Sequence, residues 1–145
     1  MTLVELLVVL TVIGIIVGMS VPSLLGYAKQ LHLKTTTRQL MGLLSLARST
    51  AISSHADHAV IIDQEHGQVN VMNVASGESL ERAVRLPPKI TVTLQVNGQP
   101  SPTMQFVFRS SGSLTGRTVE LVVGDQDRHH TIAVTGSTGT ITLKE

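Results

Sequence analysis

The stretch that decides the fold is residues 1–29, MTLVELLVVLTVIGIIVGMSVPSLLGYAK, in which Glu5 is the only charged residue before Lys29. The 23 residues from Leu6 to Ala28 carry no formal charge. As a helix that rises about 1.5 Å per residue they would extend for about 35 Å, which is enough to cross a bilayer. A charge near the bilayer centre costs roughly 2.5 to 3.5 kcal/mol. Glu5 therefore requires a partner or a route to the membrane interface.

Two simpler interpretations of this segment leave Glu5 unexplained. A secretory signal peptide over residues 1–21 fits poorly, because no basic residue precedes the apolar run and the run exceeds the usual length of about 7 to 15 residues. A plain membrane anchor fits the length, but it gives no reason for an acidic residue at position 5.

Two glycines and a proline predict how this helix packs and bends. Gly14 and Gly18 form a G-x-x-x-G pair, which permits close approach of a second helix, with simple backbone looseness as the alternative. Pro22 removes a backbone donor and crowds the preceding turn. We therefore expect a bend or local loosening between Gly18 and Pro22.

A second helical pattern continues the first through QLHLKTTTRQLMGLLSLARSTAISS, residues 30–54. Its apolar residues recur at spacings of three, four and seven, the pattern of an amphipathic helix. The predicted buried stripe is Leu33, Leu40, Leu43, Leu44, Ala47, Ala51 and Ile52. The polar residues predicted on the other faces are Thr37, Arg38, Ser45, Arg48 and Ser49. We expect one helix over residues 2–53, about 75 to 80 Å long.

The rest of the chain has the period-two pattern of β-strands. HAVIID and HGQVNVMNV predict a hairpin with a short turn at Gly67. LERAVRL is compatible with a strand or a short helical turn, and NGQPSPT is interpreted as a loop. The further predicted strands are KITVTLQV, MQFVF, TVELVVG, TIAVT and TITLK. Turn residues between them indicate one antiparallel sheet or two small sheets.

These elements predict an α+β fold in which the second half of a long N-terminal helix packs on an antiparallel β head. Three segments are expected: residues 1–28 as a transmembrane or filament-core helix, residues 29–53 as the amphipathic half of the same helix, and residues 54–145 as the β-rich head. We expect the apolar first half to contact lipid or other helices, because it has no polar face.

Charge and cysteine content exclude several classes of protein. The net charge is +1, and residues 1–53 hold four basic residues against Glu5. A sequence-independent grip on nucleic acid needs a denser basic field, so these basic residues are better suited to anionic lipid headgroups. With no cysteine, neither a disulfide framework nor a thiolate metal site is available.

The most tempting catalytic or metal cluster is GDQDRHH, which contains Asp125, Asp127, His129 and His130. Two carboxylates and two histidines could bind a divalent cation or form an acid/base pair. The same letters between two apolar strands are also an ordinary turn, and adjacent histidines on a strand point to opposite faces. We expect no catalytic residue, no metal and no cofactor, and we predict that the protein is not an enzyme.

Nucleic-acid binding is a weaker alternative. Its candidate contacts are Arg109, Arg117 and Arg128, which lie in separate segments of the head. Aromatic residues make up 2% of the chain, so the stacking platforms typical of single-strand binding are nearly absent. A solvated surface is the better interpretation of these arginines.

The N-terminal stretch TLVELLVVLTVIGIIVGMSVP resembles the mature N-terminus of type IV pilins and type II secretion pseudopilins. The residues that carry the resemblance are Thr2, Leu3, Glu5, Leu6, Gly14 and Pro22. It implies that a prepilin peptidase cleaves before Met1 and methylates the new amine. It also implies that Glu5 pairs with the position 1 amine of a neighbouring subunit in a filament, which would offset part of the desolvation cost of both charges.

The head also resembles one subgroup. LLSLARSTAISSHADHAVIIDQEHGQVNV, FRSSGSLTGRTVELVV and HHTIAVTGSTGTITL are similar to segments of the GspH/FimT group of minor pilins and pseudopilins. This implies a minor subunit, held in the inner membrane with a periplasmic head before it joins a periplasmic or extracellular filament. Its partners would be other pilin or pseudopilin subunits and the peptidase.

Two departures from the family pattern matter. Position 1 is Met1 where phenylalanine is usual, so we expect either the processed chain or a Met1 that replaces the native residue. DNA-binding members carry Gly-Arg-x-Arg near the C-terminus, whereas the matching stretch here is Gly139, Thr140, Ile141 and Thr142. A structural subunit of a type II secretion pseudopilus, or of a type IV pilus, is therefore the expected function. A DNA-binding minor pilin of natural transformation is the alternative.

Overall fold

One helix accounts for the first third of the chain. A computed structural model of the protein describes residues 2–80, 83–125 and 127–144, and it describes no side chains for residues 19–30. The helix, α1, spans Leu3–Ser54 without interruption. It ends at His55, whose φ of 52° lies in the left-handed region, a region in which histidine is enriched among non-glycine residues.

The end of α1 is a Schellman motif. The backbone N–H of Ala56 donates to the carbonyl of Ala51 at 3.2 Å, and the N–H of His55 donates to the carbonyl of Ile52 at 3.4 Å. These bonds satisfy carbonyl groups that the last turn of a helix otherwise leaves without partners. The chain is thereby turned toward the first strand.

Among the described residues, nine antiparallel strands follow in two sheets. They are β1 (His58–Asp63), β2 (Gln68–Asn73), β3 (Val84–Arg85), β4 (Thr91–Val96), β5 (Gln99–Pro100), β6 (Gln105–Phe108), β7 (Val119–Gly124), β8 (His129–Val134) and β9 (Ile141–Lys144). The four-stranded sheet has the order β3-β2-β1-β6, and the five-stranded sheet has the order β5-β4-β7-β8-β9. The predicted α+β class and the predicted β1–β2 hairpin are confirmed.

The C-terminal half of α1 and both sheets share one core. Val60 of β1, Leu94 of β4 and Leu121 of β7 belong to the same buried cluster as the helix. The buried residues of the helix are Leu33, Thr36, Thr37, Leu40, Leu43, Leu44, Ala47 and Ala51. Six of the seven residues of the predicted apolar stripe are therefore confirmed as buried.

The helix pattern was wrong at Thr37 and Ile52. Thr37, predicted on a polar face, is buried because its hydroxyl donates to the Leu33 carbonyl at 2.9 Å and so needs no water. Ile52, predicted in the stripe, is 41% exposed. Its side chain lies over Gly112, where an added Cβ would come within 2.6 Å of the Ile52 Cδ1.

Two short elements of the head also differ from expectation. The predicted loop NGQPSPT begins with a tight hairpin, in which Asn97 and Gly98 have φ values of 54° and 76° and join β4 to β5. Positive φ at both positions is typical of a type I′ turn, for which Asn-Gly is the preferred sequence. In LERAVRL, left open between strand and helical turn, the described residues form only the two-residue strand β3, and residues 81 and 82 lie outside the described part.

Arg48 joins α1 to two loops of the head. Its Nε donates to the carbonyl of Gly112 at 3.1 Å, and its Nη2 donates to the carbonyl of Thr138 at 3.0 Å. Gly139 fits beneath this contact, because a Cβ there would meet the Gly112 carbonyl oxygen at 1.9 Å. The sequence predicted Arg48 on an outer polar face, whereas the side chain is half-buried and bonded.

The chain divides into two compact units, residues 1–32 and residues 33–145, so that α1 begins in the first and ends in the second. Within the part of the chain that the structure describes, no helix combines the length and hydropathy that crossing a membrane requires.

Candidate functional site

The first turn of α1 is closed by a reciprocal pair of hydrogen bonds. The backbone N–H of Glu5 donates to Thr2 Oγ1 at 3.3 Å, and the backbone N–H of Thr2 donates to Glu5 Oε2 at 3.3 Å. This is a capping box, and the carboxylate also lies at the positive end of the helix dipole. Glu5 thus has a partner within its own chain. The sequence signal for this cap is the T-x-x-E pattern of Thr2 and Glu5.

Glu5 keeps capacity for a second contact. Its side chain is exposed, and Oε1 has no hydrogen bond or ion pair with any described residue. Met1, the predicted site of processing, methylation and intersubunit contact, lies outside the described residues. The pairing of Glu5 with another chain's amine stays a prediction.

The surface of residues 3–17 is almost wholly apolar. Its large apolar side chains are between 50% and 81% exposed. They are Leu3, Val4, Leu6, Leu7, Val8, Val9, Leu10, Val12, Ile13, Ile15, Ile16 and Val17. Apolar patches of more than a few hundred Å² on a protein surface mark interaction sites with proteins or membranes. We name this region, residues 3–17, the apolar helix surface.

The glycine pair leaves open space on this helix. A Cβ added at Gly14 or at Gly18 would meet nothing within 4 Å in the single chain. The two glycines lie four residues apart and therefore share one face. Pro22 falls within α1, but its side chain lies outside the described residues. The predicted helix packing at the glycines and the predicted bend at Pro22 stay predictions.

The three arginines of the nucleic-acid alternative are exposed and do not form one patch. Arg117 precedes β7 and Arg128 follows it. A strand of six residues separates its ends by about 17 Å. Arg109 lies nearer to Arg117, since its Nε donates to the hydroxyl of Thr115 at 3.4 Å. The arrangement gives two arginines at one end of β7 and one at the other.

In the GDQDRHH segment, Gly124 ends β7, His129 and His130 begin β8, and the connection between the strands contains Asp125, Asp127 and Arg128. The N–H of Asp127 donates to Asp125 Oδ1 at 3.1 Å, the N–H of Asp125 donates to the Arg128 carbonyl at 2.9 Å, and Gly124 pairs with His129. Among residues 2–80, 83–125 and 127–144, no three His, Cys, Asp or Glu side chains are grouped as metal ligands. These local hydrogen bonds are those of an ordinary turn, the simpler of the two interpretations of this segment.

Comparisons with protein families and solved structures relate this fold to known proteins. A family model described as type II transport protein GspH matches residues 36–139. Among curated protein sequences, none matches the chain.

Two solved structures share the fold. The type IV minor pilin FimU of Pseudomonas aeruginosa matches with a TM-score of 0.66 at 16% identity, over 82% of this chain and 92% of FimU. The minor pseudopilin EpsH from the type II secretion system of Vibrio cholerae matches with a TM-score of 0.65 at 16% identity, over 78% of this chain and 95% of EpsH. The resemblance predicted from the sequence is confirmed at the level of the family and the fold.

Proposed function

Because the chain belongs to the GspH family of type II transport proteins, we propose that it is a minor pseudopilin, a non-enzymatic structural subunit of a periplasmic filament. The observation that carries the proposal is the apolar helix surface, which belongs to the same helix that fills the core of the head. A type II secretion pseudopilus is favoured by the family description. A type IV pilus is the second candidate system, because FimU and EpsH resemble the fold almost equally.

The energetics of the apolar helix surface support polymerisation. Full burial of one large apolar side chain contributes about 1.5 to 3 kcal/mol, and twelve such side chains here are at least half exposed. Removing most of this surface from water would therefore contribute on the order of 10 kcal/mol. Association costs an estimated 4 to 15 kcal/mol, so helix bundling with neighbouring subunits is energetically feasible. Before assembly, the same surface would be held in the inner membrane.

Glu5 would supply the polar contact within the bundle. After a prepilin peptidase exposes and methylates the position 1 amine, Glu5 of one subunit would pair with that amine of a neighbour. Support comes from the exposed position of Glu5 and from its Oε1, which has no partner among the described residues. The open face at Gly14 and Gly18 would let helices approach closely enough to bring the two charges together. Such a pair in a low-dielectric bundle offsets much of the cost of burying either charge alone.

The experiment uses Glu5→Gln in the full chain at native expression level. Glutamine can still accept the Thr2 N–H bond of the capping box, so the helix start is retained while the charge is lost. We expect normal membrane fractionation but an incorporation into filaments that is reduced by about tenfold or more, because one unpaired buried charge costs several kcal/mol.

The matched control is Glu65→Gln, which removes an exposed carboxylate of the head. It should incorporate normally. Normal incorporation of Glu5→Gln, measured by cross-linking of sheared filaments, would show that the carboxylate acts only as a helix cap.

A role in DNA uptake has less support. Arg128 is separated from Arg109 and Arg117 by the length of β7, and both phenylalanines are buried rather than available for stacking. Duplex binding by the full chain in detergent at low salt, lost in Arg109→Ala and Arg117→Ala variants, would favour the DNA-binding alternative.

A further inference from the structure

Four strands form the ends of the two sheets in the described part of the chain, and three of these ends are protected from further pairing. The ends are β3 and β6 in one sheet and β5 and β9 in the other. β3 and β5 have two residues each, and β5 includes Pro100, which has no N–H to donate. The outer edge of β6 is paired through the Phe108–Leu114 bridge and the bond from the Thr115 N–H to the Val107 carbonyl at 2.9 Å. Very short strands, proline and covering segments are the usual means of preventing strand addition.

The fourth end strand, β9, lacks these protections on its outer edge. The turn between β8 and β9 closes with a bond from the Thr135 N–H to the Thr140 carbonyl at 2.9 Å. Because ladder bonds recur at every second residue of an antiparallel strand, they next fall at the second and fourth residues of β9. The N–H and C=O groups of Ile141 and Leu143 therefore point away from β8. These outward groups have no partner among the residues that the structure describes.

Leu143 gives this edge an apolar side. It pairs with Ile132 of β8, which is 0% exposed, so the two side chains lie on the face of the sheet that forms the core. Leu143 itself is 40% exposed, since no further strand lies beyond β9 in the described chain. A strand added to β9 would place an apolar side chain beside Leu143, at the distance at which cross-strand pairs interact.

The charge on β9 is neutralised within the sheet. Lysine on an edge strand is one of the devices that deter pairing with another chain. Here the Lys144 Nζ lies 2.6 Å from Oε1 of Glu120 on β7, two strands inward. This ion pair directs the lysine side chain away from the outer edge. The edge therefore selects a partner by its backbone and apolar groups rather than by charge.

We propose that the outer edge of β9 binds an extended, uncharged segment of another polypeptide, which adds to the five-stranded sheet as a further strand. The segment would exchange main-chain hydrogen bonds with Ile141 and Leu143 and place an apolar side chain beside Leu143. In complexes of this kind the main-chain bonds supply affinity and the side-chain contacts supply specificity. This goes beyond the filament role, because β9 belongs to the head and its edge involves neither Glu5 nor the apolar helix surface.

The test uses the full chain in detergent micelles and the fluorescein-labelled peptide Gly-Thr-Val-Thr-Val-Thr-Gly, followed by fluorescence anisotropy and amide hydrogen exchange. We expect saturable binding. Saturating peptide should slow exchange of the Ile141 and Leu143 amides by about tenfold or more, because they gain acceptors. The Thr142 and Lys144 amides face β8, so they should exchange slowly without peptide and change much less. This alternation provides an internal control in the unmodified chain.

Two variants of one residue separate the backbone donor from the side chain. Leu143→Pro removes an outward N–H without touching the bonds to β8, at an edge position where proline is tolerated. It should weaken binding by about tenfold or more. Leu143→Thr is the matched control, because it also removes the apolar side chain but keeps the donor. It should weaken binding by only about threefold. Slow exchange at Thr142 in both variants would verify that β9 stays paired, and the exchange pattern of the parent chain decides if it does not.

A final arm separates strand addition from other kinds of contact. A peptide N-methylated at every residue keeps the side chains and the label but cannot pair, so it should not bind. No binding of the parent peptide, equal binding of the methylated peptide, equal weakening by the two Leu143 variants, or slowed exchange at a different edge would overturn the proposal. Self-association of the chain without peptide, abolished by Leu143→Pro in analytical ultracentrifugation, would assign the edge to a second copy and would also overturn it.

Discussion

The two halves of α1 use the same residue types in opposite ways. In residues 3–17, leucine, isoleucine and valine side chains are 50% to 81% exposed. In residues 33–51, the apolar residues Leu33, Leu40, Leu43, Leu44, Ala47 and Ala51 are 0% to 3% exposed. Helix propensity cannot account for this contrast, because both halves are fully helical. The difference lies in what each half packs against.

The contrast shows which half of α1 is buried within a single chain and which half is not. The second half is covered by two sheets and tied to the head through Arg48, so its folding energy is realised within one subunit. The first half has its apolar surface exposed in a single chain. A protein keeps such a surface where membrane or other subunits supply the cover.

The largest expected effect comes from truncating a leucine in the covered half. Leu44→Ala should lower the free energy of unfolding of the unit formed by residues 33–145 by about 2 to 5 kcal/mol, because it removes buried contacts and leaves a cavity. The measurement is urea denaturation of the full chain in detergent. Unfolding is followed by the backbone circular dichroism of the strands rather than by the near-ultraviolet signal of Tyr27.

Leu7→Ala is its counterpart in the exposed half. Leu7 is 58% exposed, so its truncation should change the same free energy by less than about 0.5 kcal/mol and reduce filament incorporation instead. Equal destabilisation by the two variants would mean that the exposed half is already packed within one subunit.

The second expected effect tests how the loops close around Arg48. Gly139→Ala should cost about 2 to 4 kcal/mol of folding free energy, because the new Cβ would fall on the Gly112 carbonyl and the residue has a φ of 66°. Gly77→Ala is the matched control, since Gly77 has a φ of 70° and nothing within 4 Å of an added Cβ. It should cost about 1 to 2 kcal/mol. Equal losses in urea denaturation would show that backbone strain alone matters at Gly139.

Periodicity was sufficient to predict most of this fold. The apolar stripe from Leu33 to Ala51, the hairpin at Gly67 and the strands after it follow from residue spacing alone. The pattern predicted Thr37 on a polar face because it classifies each residue only as polar or apolar. A hydroxyl that donates to a carbonyl of its own helix can nevertheless be buried.

Other features depend on contacts that spacing does not encode. Arg48 meets Gly112 and Thr138, which lie 64 and 90 positions away in the chain. The pairing of Leu114 with Phe108 at the outer edge of β6 likewise depends on tertiary packing. In contrast, the capping box of Thr2 and Glu5 and the Asn97-Gly98 turn were readable from sequence.

A smaller effect is expected at the start of the exposed half. Thr2→Val removes the hydroxyl that accepts the Glu5 N–H, and loss of an N-cap costs about 0.5 to 2 kcal/mol. Because the loss is confined to the first turn, it should appear as faster hydrogen exchange at Glu5 and Leu6 without a change in the urea midpoint of the head. Thr11→Val is the control, since the Thr11 hydroxyl donates to the Leu7 carbonyl within the helix and caps nothing. Unchanged exchange at Glu5 would show that the cap does not hold the first turn.

The smallest effect is expected in the β1–β2 turn. The backbone N–H of His66 donates to Asp63 Oδ1 at 3.0 Å, and the ring Nδ1 lies 2.7 Å from Oδ2. These bonds lower the pKa of Asp63, with the backbone bond as the larger cause. A carboxylate with a lowered folded pKa stabilises the fold above its unfolded pKa, and the contribution is lost as pH falls through the folded value.

The pH dependence can be assigned to its cause with one variant. In His66→Ala the backbone N–H of residue 66 remains, so the pKa of Asp63, followed by carboxyl-carbon NMR, should rise only part of the way to its ordinary value of about 4. In Asp63→Asn the stability difference from the parent chain should shrink as the pH is lowered below about 4, because the parent loses the contribution that the variant never had. A complete return of the Asp63 pKa in His66→Ala would assign the shift to the imidazole and contradict the dominance of the backbone bond.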